Sequence, residues 1–195
     1  MLDVNNPIRI FDLWLKEASR HSLIKEPTAM SLATANNNGE VSNRIVLLKD
    51  YSEAGFTFYT NLTSLKSNQI KENPNAALCF YWMPLDRQIR ITGKFSKVSN
   101  KIADAYFASR PRGSQISAWA SKQSMHLDRY ETFEQKIAEI EKKFVEKIIP
   151  RPPFWSGFIL EPKKIEFWEQ KDFRRHERSL FTKYANGWRR EMLYP

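Results

Sequence analysis

The sequence RIVLLKDYSEAGFTFYTNLTSLK, residues 44–66, contains two short apolar runs followed by the start of a helix. The first run, Ile45 to Leu48, is β-branched and aliphatic, which is typical of a strand buried on both faces. Ser52 to Gly55 supplies turn residues, and the aromatic and β-branched residues of Phe56 to Thr60 predict a second strand. The stretch therefore predicts strand, turn, strand and helix in that order.

Basic residues lie just before the first predicted strand (Arg44), just after it (Lys49) and in the first turn of the predicted helix (Lys66). Thr63 or Ser64 is suited to cap the helix, whose N-terminus offers N–H groups and a positive dipole end to an anion. Lys66 in the first turn disfavours the helix, and an anion held between Lys66, Arg44 and the helix start removes that conflict. The stretch thus predicts one wall of a phosphate-bearing cofactor site. The alternative is that these cations are solvated strand ends, and strict alternation places Arg44 and Lys49 on opposite faces unless a bulge, a twist or a strand end intervenes.

Charge and cysteine content limit the classes of protein and partner. The net charge of +9 fits either a nucleic acid or phosphorylated small molecules. The basic residues fall at separated motifs rather than in one stripe, so we expect no nucleic-acid partner. The single cysteine, Cys79, excludes an internal disulfide, and no residues have metal-ligand spacing; we expect Cys79 to be a buried core thiol. No apolar stretch is long enough to span a membrane and no signal-peptide core is present, so we expect a cytoplasmic protein.

The rest of the chain predicts antiparallel hairpins. Turn signals at Asn36 to Gly39 and at Asn186-Gly187 each join two predicted strands. Two further strands are expected at Trp155 to Leu160 and at Lys164 to Trp168, separated by Glu161-Pro162. Counted over the whole chain, the patterns predict about eight strands in hairpin order.

Helices are predicted between these hairpins. Pro7 to Ala18 has amphipathic spacing. Its apolar side is expected to consist of Ile10, Leu13, Trp14 and Ala18. Apolar residues at every third or fourth position over 127–148 predict a long amphipathic helix. Together these elements predict one domain over residues 1–195 with a mainly β, α+β fold: a closed or nearly closed antiparallel barrel that carries two or three helices.

Two further clusters of polar residues are candidates for ligand binding or catalysis. Tyr106 and Arg110 lie four residues apart on a predicted helix and therefore share a face, and Ser114 follows one turn later. A phenol, a guanidinium and a hydroxyl form a phosphate clamp, although Tyr/Arg pairs alone are more often surface contacts. The second cluster is WEQKDFRRHER, residues 168–178, in which arginines surround His176. Its alternative interpretation is a solvated basic loop.

These motifs resemble those of the pyridoxine/pyridoxamine 5′-phosphate oxidase family. The resemblance runs in order from about Pro7 to Pro195 and rests on RIVLLK (44–49), FYTNLTSLK (58–66), NPNAAL (73–78), RQIRITG (87–93), YFASRPRGSQISAW (106–119), SKQS (121–124), PRPPFWSGF (150–158), IEFW (165–168) and RRHER (174–178). Members of that family fold as an FMN-binding split β-barrel and act as homodimers with FMN at the interface. The resemblance therefore implies this fold, FMN as cofactor and a second copy of the chain as partner.

The resemblance also implies roles for individual residues. It implies that FMN is held, in part from the partner subunit, by Arg44, Ile45, Val46, Leu47, Leu48, Lys49, Tyr59, Thr60, Lys66, Gln88, Gln123, Ser124, Trp168 and Arg178. It implies that the substrate phosphate is bound by Lys49, Tyr106, Arg110 and Ser114. Arg174 and His176 match the catalytic pair that lies against the pyridine ring of the substrate.

The implied reaction is hydride transfer from C4′ of pyridoxamine or pyridoxine 5′-phosphate to the flavin N5. The alcohol gives pyridoxal 5′-phosphate directly, and the amine gives an imine that water hydrolyses to the same aldehyde and ammonia. O2 then reoxidises the flavin and yields hydrogen peroxide. Two phosphate anchors would fix cofactor and substrate in the reactive orientation. The alternatives are a related phenazine-type FMN oxidase with another substrate, or a non-catalytic protein that binds flavin or pyridoxal phosphate.

Three features depart from the family pattern. Because the first helix is predicted to begin at Pro7, we expect no N-terminal arm of the kind with which the family covers its substrate. The family's Arg-Leu-His-Asp-Arg is here Arg174 to Arg178, with Arg175 and Glu177 at the second and fourth positions, and Ser117 stands where the family has glycine. A missing arm would weaken substrate binding or alter the choice of substrate, and Arg175 would add charge beside the ring.

Overall fold

The computed structural model describes residues 6–195, which form nine strands and five α-helices. The strands are β1 (Ala29–Ala35), β2 (Val41–Leu47), β3 (Asp50–Ser52), β4 (Gly55–Asn61), β5 (Asn75–Trp82), β6 (Arg87–Lys97), β7 (Trp155–Glu169), β8 (Glu177–Tyr184) and β9 (Gly187–Leu193). The helices are α1 (Pro7–Arg20), α2 (Leu65–Glu72), α3 (Asn100–Ser109), α4 (Arg112–Ala120) and α5 (Tyr130–Lys143). The fold is thus mainly β with helices, as predicted.

All strand pairs are antiparallel, and the sheet divides at β7. The strand order is β2-β1-β5-β6-β7-β4-β3, with β8 on β7 and β9 on β8. Along one edge β7 pairs with β6. Along the other edge its first part, residues 155–160, pairs with β4 and its last part, residues 164–169, pairs with β8. One strand therefore supports two separate extensions of the sheet.

The prediction of two strands around Glu161-Pro162 is wrong, because β7 is continuous from Trp155 to Glu169. Thr92 pairs with Lys164 but Gly93 pairs with Pro162, so a β-bulge takes up one extra residue. A proline is tolerated at such a bulge, since it need not donate to the ladder. The bulge requires Gly93, where a Cβ atom would lie 2.0 Å from the carbonyl oxygen of Glu161.

Strand β2 is not buried on both faces, contrary to the prediction for Ile45 to Leu48. It is an edge strand that pairs only with β1, and its residues alternate between half-buried and exposed. Ile45 is 66% exposed, whereas Leu48 lies beyond the strand and is buried in the core. The apolar run Ile45 to Leu48 therefore consists of the last residues of an edge strand, up to Leu47, and one core residue, Leu48, in the turn that follows.

Two predicted helices also need correction. The predicted helix over 127–148 is shorter as α5, because the chain takes a left-handed conformation at Glu146, with φ 55°, and Ile148 is exposed. In α1 the buried face consists of Pro7, Ile8, Phe11, Leu15 and Ala18. The predicted face shares Ala18 with it but was displaced by about a quarter of a turn: Ile10 and Trp14 border the core, and Leu13 is 43% exposed. Within residues 6–195 no helix has both the length and the apolar character needed to cross a membrane.

The interior contains two apolar clusters. The larger lies between α1 and the sheet and includes the fully buried Phe11, Phe56 and Phe80; burial of each such ring contributes about 1.5–3 kcal/mol. The smaller lies between α3, α4, α5 and the start of β7, and Trp155 belongs to it. Cys79 is half-buried rather than a core residue, and desolvation raises the pKa of its thiol.

Candidate active site

Lys66 occupies the first turn of α2 and is only 8% exposed. Its Nζ atom donates to Gln123 Oε1 at 3.0 Å and to the hydroxyls of Thr60 and Ser64 at 3.3 Å. Desolvation, and then the nearby Arg44 charge, lowers the pKa of Lys66 to about 8. The Ser64 side chain makes no capping hydrogen bond, so the helix start keeps N–H groups for an external acceptor.

Arg44 projects from the half-buried face of β2 towards α2. Its Nη1 atom donates to Thr34 Oγ1 at 2.6 Å and to the Leu32 carbonyl oxygen at 3.2 Å, and Nη2 donates to Ser42 Oγ. The hydroxyls of Thr34 and Ser42 both donate to Gln69 Oε1, at 2.6 Å each. Desolvation lowers the pKa of the Arg44 guanidinium. Gln69 thus holds the two hydroxyls that orient Arg44.

The group formed by Arg44, Lys66, Thr60 and Gln123 is called the cation pocket below. No carboxylate among the described residues forms an ion pair with either of its cations. Buried cations without a carboxylate are unfavourable unless an anion joins them. The donor set therefore fits a bound phosphate group.

The remaining residues of the 44–49 motif have different surroundings. Val46 and Leu48 pack into the larger apolar cluster, and Leu47 is half-buried. Strand β2 ends at Leu47, and the Lys49 backbone N–H donates to the Thr57 carbonyl oxygen at 2.9 Å. Because β2 ends at Leu47, Lys49 need not follow the strand alternation that would place its side chain on the other face from that of Arg44. Ser124 lies next to Gln123 in the loop after α4 and has a left-handed φ of 72°.

Three aromatic rings stack beside the cation pocket. Tyr59 and Tyr106 have ring centroids 3.9 Å apart at 11°, and Tyr59 and Trp155 have centroids 5.3 Å apart at 9°. Burial raises the pKa of both tyrosines. Tyr59, predicted to contact the cofactor, thus touches Tyr106, predicted to bind the substrate. These three residues are called the ring stack below.

Arg110 lies at the C-terminal end of α3 with its Cζ atom 4.9 Å from the Trp155 ring centroid. Its Nη1 atom is buried and has no hydrogen-bond partner among residues 6–195. Desolvation lowers the pKa of this guanidinium. Ser114 follows in the first turn of α4. Like the cation pocket, the guanidinium therefore presents a buried donor that suits an anion.

Other predicted residues form a row across β6, β7 and β8. Gln88 pairs with Trp168, and Trp168 pairs with Arg178. Arg178 donates through Nε and Nη2 to Glu166 Oε1, at 2.8 Å each, and through Nη1 to the Tyr194 carbonyl oxygen at 3.0 Å. The guanidinium is therefore held in a fixed orientation.

The turn between β7 and β8 carries the two predicted catalytic residues. His176 lies 4.7 Å from Trp168 between ring centroids, and its Nδ1 atom accepts from the Lys171 N–H at 3.3 Å. This bond leaves the proton of a neutral imidazole on Nε2, as a donor. Phe173 and Arg174 adopt left-handed φ values of 53° and 62°, and the Arg174 side chain is exposed. Such strain at two successive residues other than glycine is typical of functional turns.

Two family models match the chain. The model described as pyridoxamine 5′-phosphate oxidase matches residues 16–144, and the model described as the pyridoxine 5′-phosphate oxidase C-terminal dimerisation region matches residues 155–195. The chain belongs to the pyridoxamine 5′-phosphate oxidase family. The family predicted from the sequence motifs is thus confirmed.

Relatives of this oxidase family align along nearly the whole chain. The pyridoxine/pyridoxamine 5′-phosphate oxidase of Rubrobacter xylanophilus is 48% identical over 97% of this chain and 87% of its own length. The protein of the same name from Sphingopyxis alaskensis is 49% identical over 98% of this chain and 88% of its own length.

Solved structures support the split β-barrel of this oxidase family. PhzG from Burkholderia lata 383, solved with tetrahydrophenazine-1-carboxylic acid, superimposes with a TM-score of 0.93 at 29% identity and covers 100% of this chain and 95% of its own. An FMN-binding protein from Nostoc punctiforme PCC 73102 has the same fold, with a TM-score of 0.77 at 19% identity and coverage of 97% and 98%. The predicted antiparallel split barrel is confirmed.

Four residues of the site were not predicted from the sequence. Thr34, Ser42 and Gln69 orient Arg44, and Trp155 stacks on Tyr59 and Arg110. The available signals were the alternation of Ser42 with Arg44 on one strand face and the i, i+3 spacing of Lys66 and Gln69 on one helix face.

Proposed function

We propose that this protein oxidises pyridoxamine 5′-phosphate or pyridoxine 5′-phosphate to pyridoxal 5′-phosphate with FMN as cofactor. The observation that carries the proposal is the pair of buried cationic groups without carboxylates, the cation pocket and Arg110. Tyr59 of the ring stack is next to Thr60 of the cation pocket along β4, and Tyr106 and Trp155 of the stack lead to Arg110. Two anion sites on one connected set of residues fit two phosphorylated molecules.

In this proposal the cation pocket holds the FMN phosphate, and Lys49, Tyr106, Arg110 and Ser114 hold the substrate phosphate. When bound there, FMN would supply the redox chemistry, with O2 as the final electron acceptor. The protein contributes chiefly orientation, since fixed placement of two reactants replaces a costly encounter. Burial of Lys66 and Arg110 strengthens their attraction for phosphate.

Arg174 and His176 are proposed to act on the substrate ring. The Nε2–H group of His176 points away from the bond to Lys171 and is available as a donor. The exposed Arg174 guanidinium supplies a fixed positive charge on the same turn. Together they would orient the pyridine ring and stabilise charge that develops during oxidation at C4′.

A homodimer is part of the proposal. Residues 155–195 match a dimerisation region. In addition, no hydrogen bond or aromatic contact among the described residues joins the cation pocket to the Gln88–Trp168–Arg178 row. If both groups contact one FMN, the simplest arrangement is that each protomer supplies one of them.

The structural similarity to PhzG raises an oxidase of the phenazine type as a second candidate. Such an enzyme would retain the cofactor residues but would not need a clamp for the substrate phosphate. The buried, unsatisfied Nη1 atom of Arg110 beside Tyr106 favours the phosphorylated substrate. A non-catalytic binding protein would not need the strained turn that carries Arg174.

The decisive test is aerobic turnover of the FMN-loaded protein with pyridoxamine 5′-phosphate. We expect pyridoxal 5′-phosphate, ammonia and hydrogen peroxide in equal amounts, since each oxidised C–N bond releases one of each. Pyridoxine 5′-phosphate should give the aldehyde and peroxide without ammonia. Bound FMN with no turnover on either compound would reject the proposed substrates and leave only cofactor binding.

The pKa of Lys66 predicts how FMN affinity depends on pH. Phosphate binding favours the protonated amine, whose folded-state pKa is about 8 rather than the ordinary 10.5. The Kd for FMN should therefore change little near pH 7, be about doubled at pH 8 and rise further above it, approaching about tenfold per pH unit. Titration of FMN into apo-protein, followed by flavin fluorescence, measures this dependence.

The same group should change the stability of the apo-protein in the opposite direction. Between pH 8 and pH 10.5 the unfolded chain holds more protons on Lys66 than the folded chain does, so this contribution to the free energy of unfolding rises with pH. Lys66→Met should remove both effects. A wild-type Kd that stays constant to pH 9.5 would contradict a phosphate contact by Lys66.

A further inference from the structure

Gly157 lies directly across the sheet from Tyr59, in the register of β4 with β7. The Tyr59 ring covers the position where a side chain would begin. A Cβ atom at residue 157 would lie 2.7 Å from Cε1 and 2.8 Å from Cδ1 of that ring, which is closer than van der Waals contact allows. Glycine at this position therefore lets the Tyr59 ring lie flat against β7.

Trp155 precedes Gly157 by two residues on β7 and pairs with Asn61 on β4. Because residues two apart on a strand share a face, the Trp155 ring lies on the same side as the space left by Gly157. Trp155 and Tyr106 are parallel within 2°, with centroids 6.2 Å apart. Trp155 is only 5% exposed, so its ring is fixed by the surrounding core.

The ring stack determines the surroundings of Arg110. The guanidinium packs over Trp155 at 4.9 Å and over Phe107 at 5.6 Å. Among residues 6–195 no carboxylate pairs with it, and Nη1 has no partner. The aromatic faces thus fix the position of the charge and leave its donors free for an anion.

We propose that Gly157 and Trp155 are positioning residues that set the preference for a phosphorylated substrate by orienting Tyr106 and Arg110 through the ring stack. This inference rests on the proposed function. A side chain at residue 157 would tilt Tyr59 and displace Tyr106. Removal of the Trp155 ring would let the Arg110 guanidinium leave the position from which it meets phosphate.

The test uses Gly157→Ala and Trp155→Leu in the FMN-loaded protein. Calorimetric titration with 4-deoxypyridoxine 5′-phosphate, which cannot be oxidised, measures phosphate-dependent binding, and 4-deoxypyridoxine provides the comparison without phosphate. We expect the Kd of the phosphorylated ligand to rise about tenfold in each variant, because Trp155→Leu removes a desolvated cation–π contact of Arg110 and Gly157→Ala displaces the rings that orient Tyr106. The Kd of the unphosphorylated ligand should change less than about threefold.

Turnover gives a second readout. The KM for pyridoxamine 5′-phosphate should rise by a similar factor, while kcat changes by less than about threefold, because phosphate binding rather than chemistry is affected. Trp155→Phe keeps an aromatic face under Arg110 and should restore most of the affinity. Gly157→Ala removes no core atoms, so it tests the proposal even if Trp155→Leu fails to fold.

Two matched variants control for general damage. Gly113→Ala adds the same methyl group where no atom lies within 4 Å, and Trp119→Leu removes an indole from the same apolar cluster but outside the ring stack. Both should keep the wild-type preference for phosphate. If Gly157→Ala and Trp155→Leu also keep it, the inference fails and the proposed function stands. If the wild type itself shows no preference for phosphate and no turnover, the proposed function fails as well.

Discussion

Arg44→Ala should yield a protein that binds FMN about a hundredfold more weakly than the wild type does. A hydrogen bond to a charged group contributes about 1.5–3 kcal/mol, and two such bonds to phosphate account for this factor. Thr34 and Ser42 keep their bonds to Gln69 when the guanidinium is removed. The pocket therefore keeps its shape, and the loss should appear in binding rather than in folding.

The Kd of FMN, measured by fluorescence quenching in apo-protein, checks this result. Arg44→Lys keeps the charge but loses the forked donor geometry, so its Kd should lie between those of the wild type and the alanine variant. Arg20→Ala removes an exposed arginine from the last turn of α1 and should leave the Kd unchanged. An Arg44→Ala protein that purifies fully yellow would contradict the assignment of Arg44 to the FMN phosphate.

Arg174→Ala should retain FMN and lose about 10²–10³-fold in kcat/KM. Loss of one preorganised positive donor at a reacting centre commonly has this effect. Arg174 has a left-handed φ of 62°, and alanine bears the same backbone cost as arginine there. The substitution therefore changes the side chain without relieving the turn.

Steady-state turnover at saturating FMN, with the FMN Kd measured in parallel, separates the two functions of the site. The Kd should agree with the wild-type value within about twofold, since Arg174 donates no hydrogen bond to the residues of the cation pocket. Arg189→Ala removes an exposed charge from β9 and serves as the control. Wild-type turnover in Arg174→Ala would remove this residue from the mechanism.

Local signals in the sequence were sufficient for the hairpin turns. Those at Gly39 and Gly187 were predictable because both positions need the positive φ, 82° and 126°, that glycine adopts readily. In both turns the residue that determines the conformation lies within the element itself. The start of α2 was predictable in position only: the helix begins after Ser64, but the Ser64 side chain makes no capping hydrogen bond.

Features that depend on a neighbouring strand or helix were not predictable in this way. The continuity of β7 depends on a bulge opposite Gly93, and the exposure of Ile45 depends on β2 lying at a sheet edge. In the site, the charged residues could be identified from the sequence because they belong to recognisable motifs. The uncharged Gln69 and Trp155 gain their roles only from contacts with Arg44's partners and with Arg110.

The continuity of β7 has a consequence for how the protein opens. Trp155 and Gly157 lie at one end of this strand and Trp168 at the other, and hydrogen-bonded strands flank it on both edges. The amides of residues 158–160 and 164–169, which have a paired strand on each edge, should therefore be among the most protected from hydrogen exchange, and the two ends are joined through one strand. In the proposed dimer one rigid strand therefore carries Trp155 in the ring stack of one site and Trp168 of the other, so loss of cofactor should loosen the surrounding loops long before it separates the groups that β7 holds in register.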